Sequence, residues 1–350
     1  TRLIRCPMGR AGVFVVPEGV TDIDDHAFSC CSVLTAVILP VSVRSIGDRA
    51  FTCCAMIKAF TVAAENRFFA SSDGALLSKD GTGLIQAPLG KSGKYTVPAA
   101  VGKIAIDALR GRSTLTAVEV DASNECFSSF DGVLYDKEKT RIIQVPTGIR
   151  GKIRIPSSVT AVEGFSLCGD LEEVVIESGV TDIAAAAFIH CKRLSSVTIP
   201  GSVSSIGSNT FAGCSRLASI SIPDKVTRIE SGTFSECRRL TTAVYGQCVV
   251  DIGDSAFHNC GKLATLKLPQ GVSRIGERTF CGCSSLKAIV IPDGVVEIAS
   301  DAFSRCESLT AVTIPRGVVV IGNSAFQDCI CLTEVTIPNS VACISESAFS

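Results

Sequence analysis

Residues 211–234 read FAGCSRLASISIPDKVTRIESGTF, and this stretch decides the fold. Its core-forming residues are Phe211, Cys214, Leu217, Ile220, Ile222, Val226 and Ile229, after which the pattern starts again at Phe234. The alternation of Ile220 and Ile222 predicts a short strand with one buried face. Pro223 ends the strand, because proline cannot donate a ladder hydrogen bond. Val226 and Ile229 then return the chain to the core, so the stretch describes one coil.

The same pattern recurs with a period of 23 residues. Its phenylalanines are Phe28, Phe51, Phe165, Phe188, Phe211, Phe234, Phe257, Phe280, Phe303, Phe326 and Phe349. A cysteine follows three positions after every one of these except the last, where the sequence stops. A fixed period in this range is typical of a leucine-rich-repeat solenoid. One coil cannot bury its own apolar face, so successive coils must stack, with parallel strands about 4.8 Å apart.

Two smaller features complete the coil. An isoleucine such as Ile206 or Ile321 closes the second half of nearly every coil, and glycine often follows it, as at Gly207 and Gly322. That glycine indicates either a turn with positive φ or a position without room for a Cβ atom. Alanine or threonine precedes most of the repeat phenylalanines, and small or polar residues follow, which favours one short helical turn there.

The repeat resembles that of a known family. The pattern Leu-x-x-Val-x-Ile-Pro-x-x-Val-x-x-Ile-Gly-x-x-x-Phe-x-x-Cys is similar to the BspA-like, or treponemal-type, leucine-rich repeat, and the likeness extends over nearly the whole chain. The resemblance implies a surface or secreted protein of anaerobic or host-associated microbes. It also implies adhesion and the binding of host proteins, a role that the periodicity itself does not indicate.

Between Phe51 and Phe165 a longer repeat replaces the 23-residue spacing. Residues 72–88 correspond to residues 130–146, 58 positions later. In each segment two apolar runs flank a polar turn, at 78–83 and at 136–141, which predicts a β-hairpin inserted into a coil. Each insertion adds about 35 residues to one 23-residue period.

The predicted fold class is therefore a β-rich α/β solenoid, a leucine-rich repeat with short parallel strands, 23-residue coils and two inserted β-hairpin units. Leu109 and Arg112 stand where Phe and Cys would fall, so that coil departs from the pattern. We predict a single solenoid over 1–350, with regular coils over 1–60 preceded by the tail of a hairpin unit, two long units with hairpin insertions over 61–164, and regular coils over 165–350. Polar capping repeats are not visible at either end, so we expect a chain truncated at both ends.

Composition excludes several function classes. The net charge is −1 and the pI about 6.3, so nothing in the overall charge favours nucleic acid. Apolar residues are frequent, at 46%, but evenly spread, and no stretch is long enough to insert into a membrane. Phosphate-binding loops, nucleophile elbows and His-Glu-x-x-His motifs do not occur, so we expect no enzyme activity and no cofactor.

Cysteine occupies 18 positions, and most of these cysteines follow the repeat. The structural cysteine column of the regular coils is Cys168, Cys191, Cys214, Cys237, Cys260, Cys283, Cys306 and Cys329. Equivalent positions in neighbouring coils lie within disulfide reach, but these residues share the inward phase of Phe and Leu. Because cysteine behaves as a small buried hydrophobe, we expect free core thiols in this column. Cys30 and Cys53, which share a position outside it, are candidates for pairing.

Metal binding has weaker support. The three histidines, His26, His190 and His258, sit close to repeat phenylalanines at positions that vary among coils, and no Cys-x-x-Cys pair exists. We expect surface histidines and no metal site.

Two exposed columns are candidates for a binding surface. The outward strand positions of two coils are Ser196, Thr198, Ser219 and Ser221. They predict either a hydroxyl-rich binding face or a surface filled with Ser and Thr for their fit to strands. A basic column, four or five residues after Phe in four consecutive coils, contains Lys192, Arg193, Arg216, Arg238, Arg239 and Lys262. These cations form either one basic patch for an acidic partner or solvated turn charges.

The leading functional hypothesis is a non-catalytic cell-surface or secreted scaffold that binds host or extracellular-matrix proteins. A glycan-binding or spacer module of a larger surface protein or enzyme is the second hypothesis, with acidic glycan as its partner. An intracellular protein-interaction scaffold is the third, because free thiols suit a reducing compartment.

Overall fold

The computed structural model describes residues 1–105, 107–109, 114–246 and 248–350. Arg112, which the repeat places at a cysteine position, lies outside the described residues. The internal contacts of the chain define two compact units, residues 1–149 and residues 150–350. The predicted single solenoid over 1–350 stays a prediction.

Unit 1 consists of short strands joined by turns. Its strands are β1 (Arg2–Leu3), β2 (Gly12–Val15), β3 (Asp22–Ile23), β4 (Leu34–Leu39), β5 (Ser45–Ile46), β6 (Ala59–Val62), β7 (Phe69–Ser72), β8 (Ala75–Ser78), β9 (Gly83–Gln86), β10 (Gly93–Val97), β11 (Lys103–Ile104), β12 (Leu115–Val120), β13 (Phe127–Phe130), β14 (Val133–Asp136) and β15 (Ile142–Gln144). Each regular coil contributes a longer strand to one parallel sheet and a two-residue strand to another. The first coils form the sheets β2-β4-β6 and β1-β3-β5, in which Ile23 lies opposite Ile46, 23 residues further on.

Antiparallel strands lie where the sequence predicted inserted hairpins. β8 pairs with β7 and β9, and β14 pairs with β13 and β15. The description of these segments as insertions is wrong, because β9 also pairs in parallel with β11, with Leu84 opposite Ile104. Leu84 thus occupies the place in its coil that Leu3 occupies opposite Ile23. The antiparallel strands are part of the solenoid wall rather than a unit added to it.

A buried asparagine, which sequence reasoning missed, fixes the turn before each antiparallel sheet. The Asn66 side-chain amide donates to the carbonyl oxygens of Pro40 and Val43, both at 2.9 Å, and its Oδ1 accepts from the backbone N–H groups of Phe68 and Phe69. Asn124, 58 positions later, makes the same set of bonds in its own surroundings. Each side chain satisfies backbone groups from two coils, which is what a buried polar group requires.

Unit 2 consists of the regular coils. Its strands are β16 (Arg150–Ile155), β17 (Ala161–Val162), β18 (Asp170–Ile176), β19 (Asp182–Ile183), β20 (Ser196–Thr198), β21 (Ser205–Ile206), β22 (Ser219–Ser221), β23 (Arg228–Ile229), β24 (Thr242–Val244), β25 (Asp251–Ile252), β26 (Thr265–Lys267), β27 (Arg274–Ile275), β28 (Ala288–Val290), β29 (Glu297–Ile298), β30 (Ala311–Thr313), β31 (Val320–Ile321), β32 (Glu334–Thr336) and β33 (Cys343–Ile344). Every described strand pairing in this unit is parallel, as in β16-β18-β20 and β27-β29-β31-β33. The phenylalanines stack along the core, with ring centroids 5.6 Å apart between Phe188 and Phe211 and 5.8 Å between Phe211 and Phe234.

The predicted helical turn at each phenylalanine was wrong, and the α/β label fails with it, because the described residues contain no helical segment. The residues two positions before and after Phe188, Ala186 and His190, have φ of 55° and 58°, which a right-handed helix cannot accommodate. The N–H groups of Ala186, Phe188 and His190 instead donate to carbonyl oxygens of the next coil, at 2.9, 2.9 and 2.7 Å. Because these three N–H groups donate to the neighbouring coil, they are not available for hydrogen bonds within a helix.

Gly207 and Gly322, which each follow a repeat isoleucine, lie where no Cβ fits. Neither Gly207 nor Gly322 has a positive φ. A Cβ atom at Gly207 would lie 2.4 Å from the backbone nitrogen of Ala185 in the preceding coil, and one at Gly322 would lie 2.6 Å from that of Ser300. The structure therefore decides between the two explanations that the sequence left open.

Candidate functional site

The basic column of unit 2 projects from the turn that precedes each longer strand. Cys191 and Leu194 are both fully buried, so the two residues between them, Lys192 and Arg193, must point outward. The same Cys-x-x-Leu spacing recurs in the next coils. All six predicted cations of this column, Lys192, Arg193, Arg216, Arg238, Arg239 and Lys262, are exposed.

Acidic neighbours neutralise two of these six cations. Arg193 lies 2.6 Å from a carboxylate oxygen of Glu172 and 3.6 Å from one of Asp170. Arg238 lies 2.8 Å from Glu236. Burial opposes ionisation of Glu236, but hydrogen bonds from Asn259 and Arg238 hold the pKa of its carboxyl below the ordinary value. Arg193 and Arg238 are therefore already engaged in ion pairs within the protein.

The other four cations form the free part of the column. Among the described residues no carboxylate forms an ion pair with Lys192, Arg216, Arg239 or Lys262. They lie in four consecutive coils, whose spacing is given by the phenylalanine stack at 5.3 to 5.8 Å per coil. The next coil has Ser284 and Ser285 at these positions, so the row of cations ends there.

The predicted strand face lies directly beyond the basic column. Ser196 and Thr198 of β20 and Ser219 and Ser221 of β22 are all exposed, and no hydrogen bond from their hydroxyls occurs within the described part of the chain. Ser195, just before β20, behaves differently, because its hydroxyl donates to the carbonyl oxygen of Glu172 at 3.0 Å. The hydroxyl just before the strand therefore bonds to the preceding coil, whereas the outward hydroxyls of the strand are available to a partner.

Further along unit 2 the strand face includes exposed valines. Val244 of β24 is 56% exposed and Val290 of β28 is 73% exposed. Their side chains stand on the outward strand position that Ser221 occupies in β22. The face is therefore mixed, with free hydroxyls beside the basic column and isolated valines beyond them.

The cysteine column lies in the core beneath this surface. All eight of its members are buried and none is in a disulfide. The Cys191 thiol donates to the carbonyl oxygen of Phe165 in the preceding coil at 3.0 Å, and the next coils repeat this bond. Burial raises the pKa of the Cys191 thiol well above its ordinary value, so the thiol stays protonated and remains a donor. This column can hold coils together but offers no reactive sulfur.

The histidines are separate from one another. His26 and His190 are exposed at left-handed positions, and His258 is partly buried, with its pKa lowered by that burial. No cluster of three or more His, Cys, Asp or Glu side chains in the described ranges is arranged to hold a metal ion. The described residues also include no helix long and apolar enough to cross a membrane.

Comparison with known proteins identifies the repeat. The family described as BspA type leucine-rich repeat region matches in six copies, over residues 12–72, 151–263 and 250–350. No curated protein matches the chain in sequence.

Solved structures share the fold. A leucine-rich repeat protein from Eubacterium ventriosum is 23% identical and aligns over 93% of this chain and 83% of its own, with a TM-score of 0.60. A leucine-rich cell surface protein from Faecalibacterium prausnitzii is 25% identical over 93% of this chain and 87% of its own, with a TM-score of 0.51. Both are similar to this chain in the path of the backbone over almost its full length.

Proposed function

Since the chain belongs to the BspA type leucine-rich repeat family, we propose that it is a non-catalytic scaffold, exposed on a cell surface or secreted, that binds a host or matrix protein. The cell-surface assignment is supported by the Faecalibacterium prausnitzii relative, which is named a leucine-rich cell surface protein. A repeat solenoid suits such a role because regular stacking exposes the same coil positions side by side over a long surface.

The observation that carries the proposal is the free part of the basic column. Lys192, Arg216, Arg239 and Lys262 are exposed and lack ion pairs within the described residues. An acidic segment of a partner protein that follows the stack would meet one cation per coil. Exposed ion pairs contribute up to about 1 kcal/mol each, so the row acts as a set and loses strength as salt rises.

The strand face completes the proposed contact surface. Free hydroxyls of Ser196, Thr198, Ser219 and Ser221 lie beside the cations and can bond to polar groups of the same partner. Hydrogen bonds from these hydroxyls would fix the position of the partner along the stack of coils, because a hydrogen bond requires a matching group at a fixed distance.

Charge reversal tests this proposal. We would immobilise matrix proteins, measure the affinity of the full chain for each, and repeat the measurement with the double variant Arg216→Glu, Arg239→Glu. The expected loss is about 10-fold or more for the partner that binds, because two attractions become repulsions. Lys225→Glu, a change of the same charge at an exposed turn residue beyond β22, serves as the control. Unchanged affinity of the double variant, or absence of binding to any matrix protein, would overturn the proposal.

The spacing of the column favours one second candidate, an acidic glycan. Cations that repeat once per coil, in coils whose stacked phenylalanine rings are 5.3 to 5.8 Å apart, suit a polymer with regularly spaced anionic groups better than a compact anion. Retention on immobilised heparin that falls in the double variant, together with no binding to matrix proteins, would favour this candidate.

A further inference from the structure

Two exposed cysteines occupy the same place in neighbouring coils of unit 1. Cys30 lies two residues after Phe28, and Cys53 lies two residues after Phe51. Both are exposed, and both have a φ of 62°. No other two exposed cysteines of the sequence are 23 positions apart. The pair is therefore unlike the buried cysteine column that runs through the core.

The stacking of the two coils sets the distance between these cysteines. The rings of Phe28 and Phe51 are stacked with centroids 5.0 Å apart, and the N–H of Cys30 donates to the carbonyl oxygen of Thr52 at 2.9 Å. Equivalent backbone positions in these coils are therefore about 5 Å apart, inside the 4.4–6.8 Å range of Cα separations in disulfides.

The side chains also point the same way. Because Cys30 and Cys53 share one left-handed conformation at equivalent positions, their Cα–Cβ bonds are close to parallel. Partial burial and the neighbouring Cys30 thiol raise the pKa of Cys53.

The next residue in each coil is a cysteine that differs from this pair in its burial. Cys31 and Cys54 also occupy equivalent positions, but both are buried, and the Cys54 thiol donates to the carbonyl oxygen of Phe28 at 3.0 Å. Burial raises the pKa of Cys54 to about 12, which leaves it protonated. Reagents in solution therefore reach Cys30 and Cys53 but not their neighbours in sequence.

We propose that Cys30 and Cys53 form an oxidisable dithiol, which small-molecule disulfides convert to a disulfide bond between neighbouring coils. One cysteine thiolate attacks a sulfur of the small disulfide, forming a mixed disulfide and releasing one small thiol. The second cysteine then loses its proton and attacks the sulfur of the first, forming the Cys30–Cys53 bond and releasing the second small thiol. Two electrons and two protons pass from the protein to the small disulfide, which leaves as two thiols.

The bond would join two coils at their surface without disturbing the core. It would close the segment between residues 30 and 53, and a cross-link of that kind stabilises chiefly by restricting the unfolded chain. Oxidation should therefore raise the unfolding temperature of unit 1, and added reductant should reverse the increase.

The test uses the full chain, reduced and then exposed to oxidised glutathione. After native alkylation and digestion, tandem mass spectrometry should find a cross-link between Cys30 and Cys53, with both lost from the alkylated set. Tandem spectra are needed because Cys31 and Cys54 fall in the same tryptic peptides. Cys30→Ser should instead retain glutathione on Cys53 as a stable mixed disulfide, because the attacking partner is missing. Cys331→Ser, at an exposed cysteine elsewhere, should cross-link like the wild type.

The outcomes separate cleanly. A cross-link of Cys30 with Cys53 in the wild type that disappears in Cys30→Ser supports the proposal. Stable glutathione adducts on both Cys30 and Cys53 of the wild type would overturn it, as would a cross-link of either residue to another cysteine.

Discussion

The thiol of Cys237 donates a hydrogen bond to the carbonyl oxygen of Phe211, 3.2 Å away in the preceding coil. The same oxygen accepts the backbone N–H of Cys214 at 3.0 Å, so both acceptor positions of one buried carbonyl are filled from two coils. The arrangement repeats along the stack, as in the bonds from Cys260 to Phe234 and from Cys283 to Phe257. It explains why cysteine, rather than another small hydrophobe, keeps phase with phenylalanine: a buried position here needs both apolar volume and a donor.

Replacing this thiol should destabilise unit 2. Cys237→Ala removes a buried sulfur and leaves the Phe211 carbonyl with one donor, so we expect the free energy of unfolding to fall by about 1–3 kcal/mol. Urea unfolding followed by circular dichroism measures the change. Cys331→Ser, at an exposed cysteine, should stay within about 0.5 kcal/mol of the wild type. An equal effect of the two substitutions would show that the inter-coil bond contributes nothing.

Alkaline pH should weaken the fold through the buried thiols. Burial raises the pKa of Cys168 to about 12, against an ordinary value of 9.0. The folded state therefore holds its proton more tightly, and this contribution to stability is complete below pH 9 and is lost between pH 9 and about 12. Each such thiol makes the free energy of unfolding fall by up to about 1.4 kcal/mol per pH unit in that window. Between pH 8 and pH 10.5, the measured free energy of unfolding should fall less steeply with pH for Cys168→Ala than for the wild type. An equal dependence on pH in the two proteins would contradict the assignment.

Gly207, which follows the repeat isoleucine Ile206, should not tolerate a methyl group. In Gly207→Ala the new Cβ would lie 2.4 Å from the backbone nitrogen of Ala185, so the coils must move apart. We expect a loss of about 1–3 kcal/mol in unfolding free energy. Gly201→Ala in the same coil is the matched control, since no atom lies within 4 Å of its Cβ. That control should be neutral or slightly stabilising, because alanine restricts the unfolded chain. Similar stability of the two variants would mean that the close approach is not maintained.

Substitution by glycine should change the stability in opposite directions at the adjacent alanines Ala185 and Ala186. Ala186 has a φ of 55°, which costs an L-residue about 1–2 kcal/mol, whereas Ala185 has no positive φ. Ala186→Gly removes that cost and adds about 0.5–1 kcal/mol of chain entropy to the unfolded state, so we expect a net gain of about 0.5 kcal/mol. Ala185→Gly gains nothing and should lose about 0.5–1 kcal/mol. Thermal unfolding of the two variants gives the comparison, and a lower melting temperature for Ala186→Gly than for Ala185→Gly would refute the argument.

The sequence determined the coil. Its period placed Phe211, Cys214 and Leu217 in the core and predicted a short strand from the alternation of Ile220 and Ile222. The same period put Lys192 and Arg193 in a column of exposed cations. These inferences needed only spacing and polarity, and every coil of unit 2 repeats them. Because the signal is repeated, a single departure such as Leu109 does not hide it.

Only the tertiary structure decided how the coils meet. The turn around Phe188 resembles a short helix in composition, yet the N–H groups of Ala186, Phe188 and His190 bond to the next coil, a partner that local sequence does not reveal. The same holds for Gly207, whose missing Cβ is required by Ala185 in another coil, and for Asn66, whose bonds reach back to Pro40 and Val43. Ion pairing likewise separated Arg193 from Arg216, although the sequence put both in one column. In each case the deciding contact joins residues about one period apart or more, so it exists only once the chain has stacked.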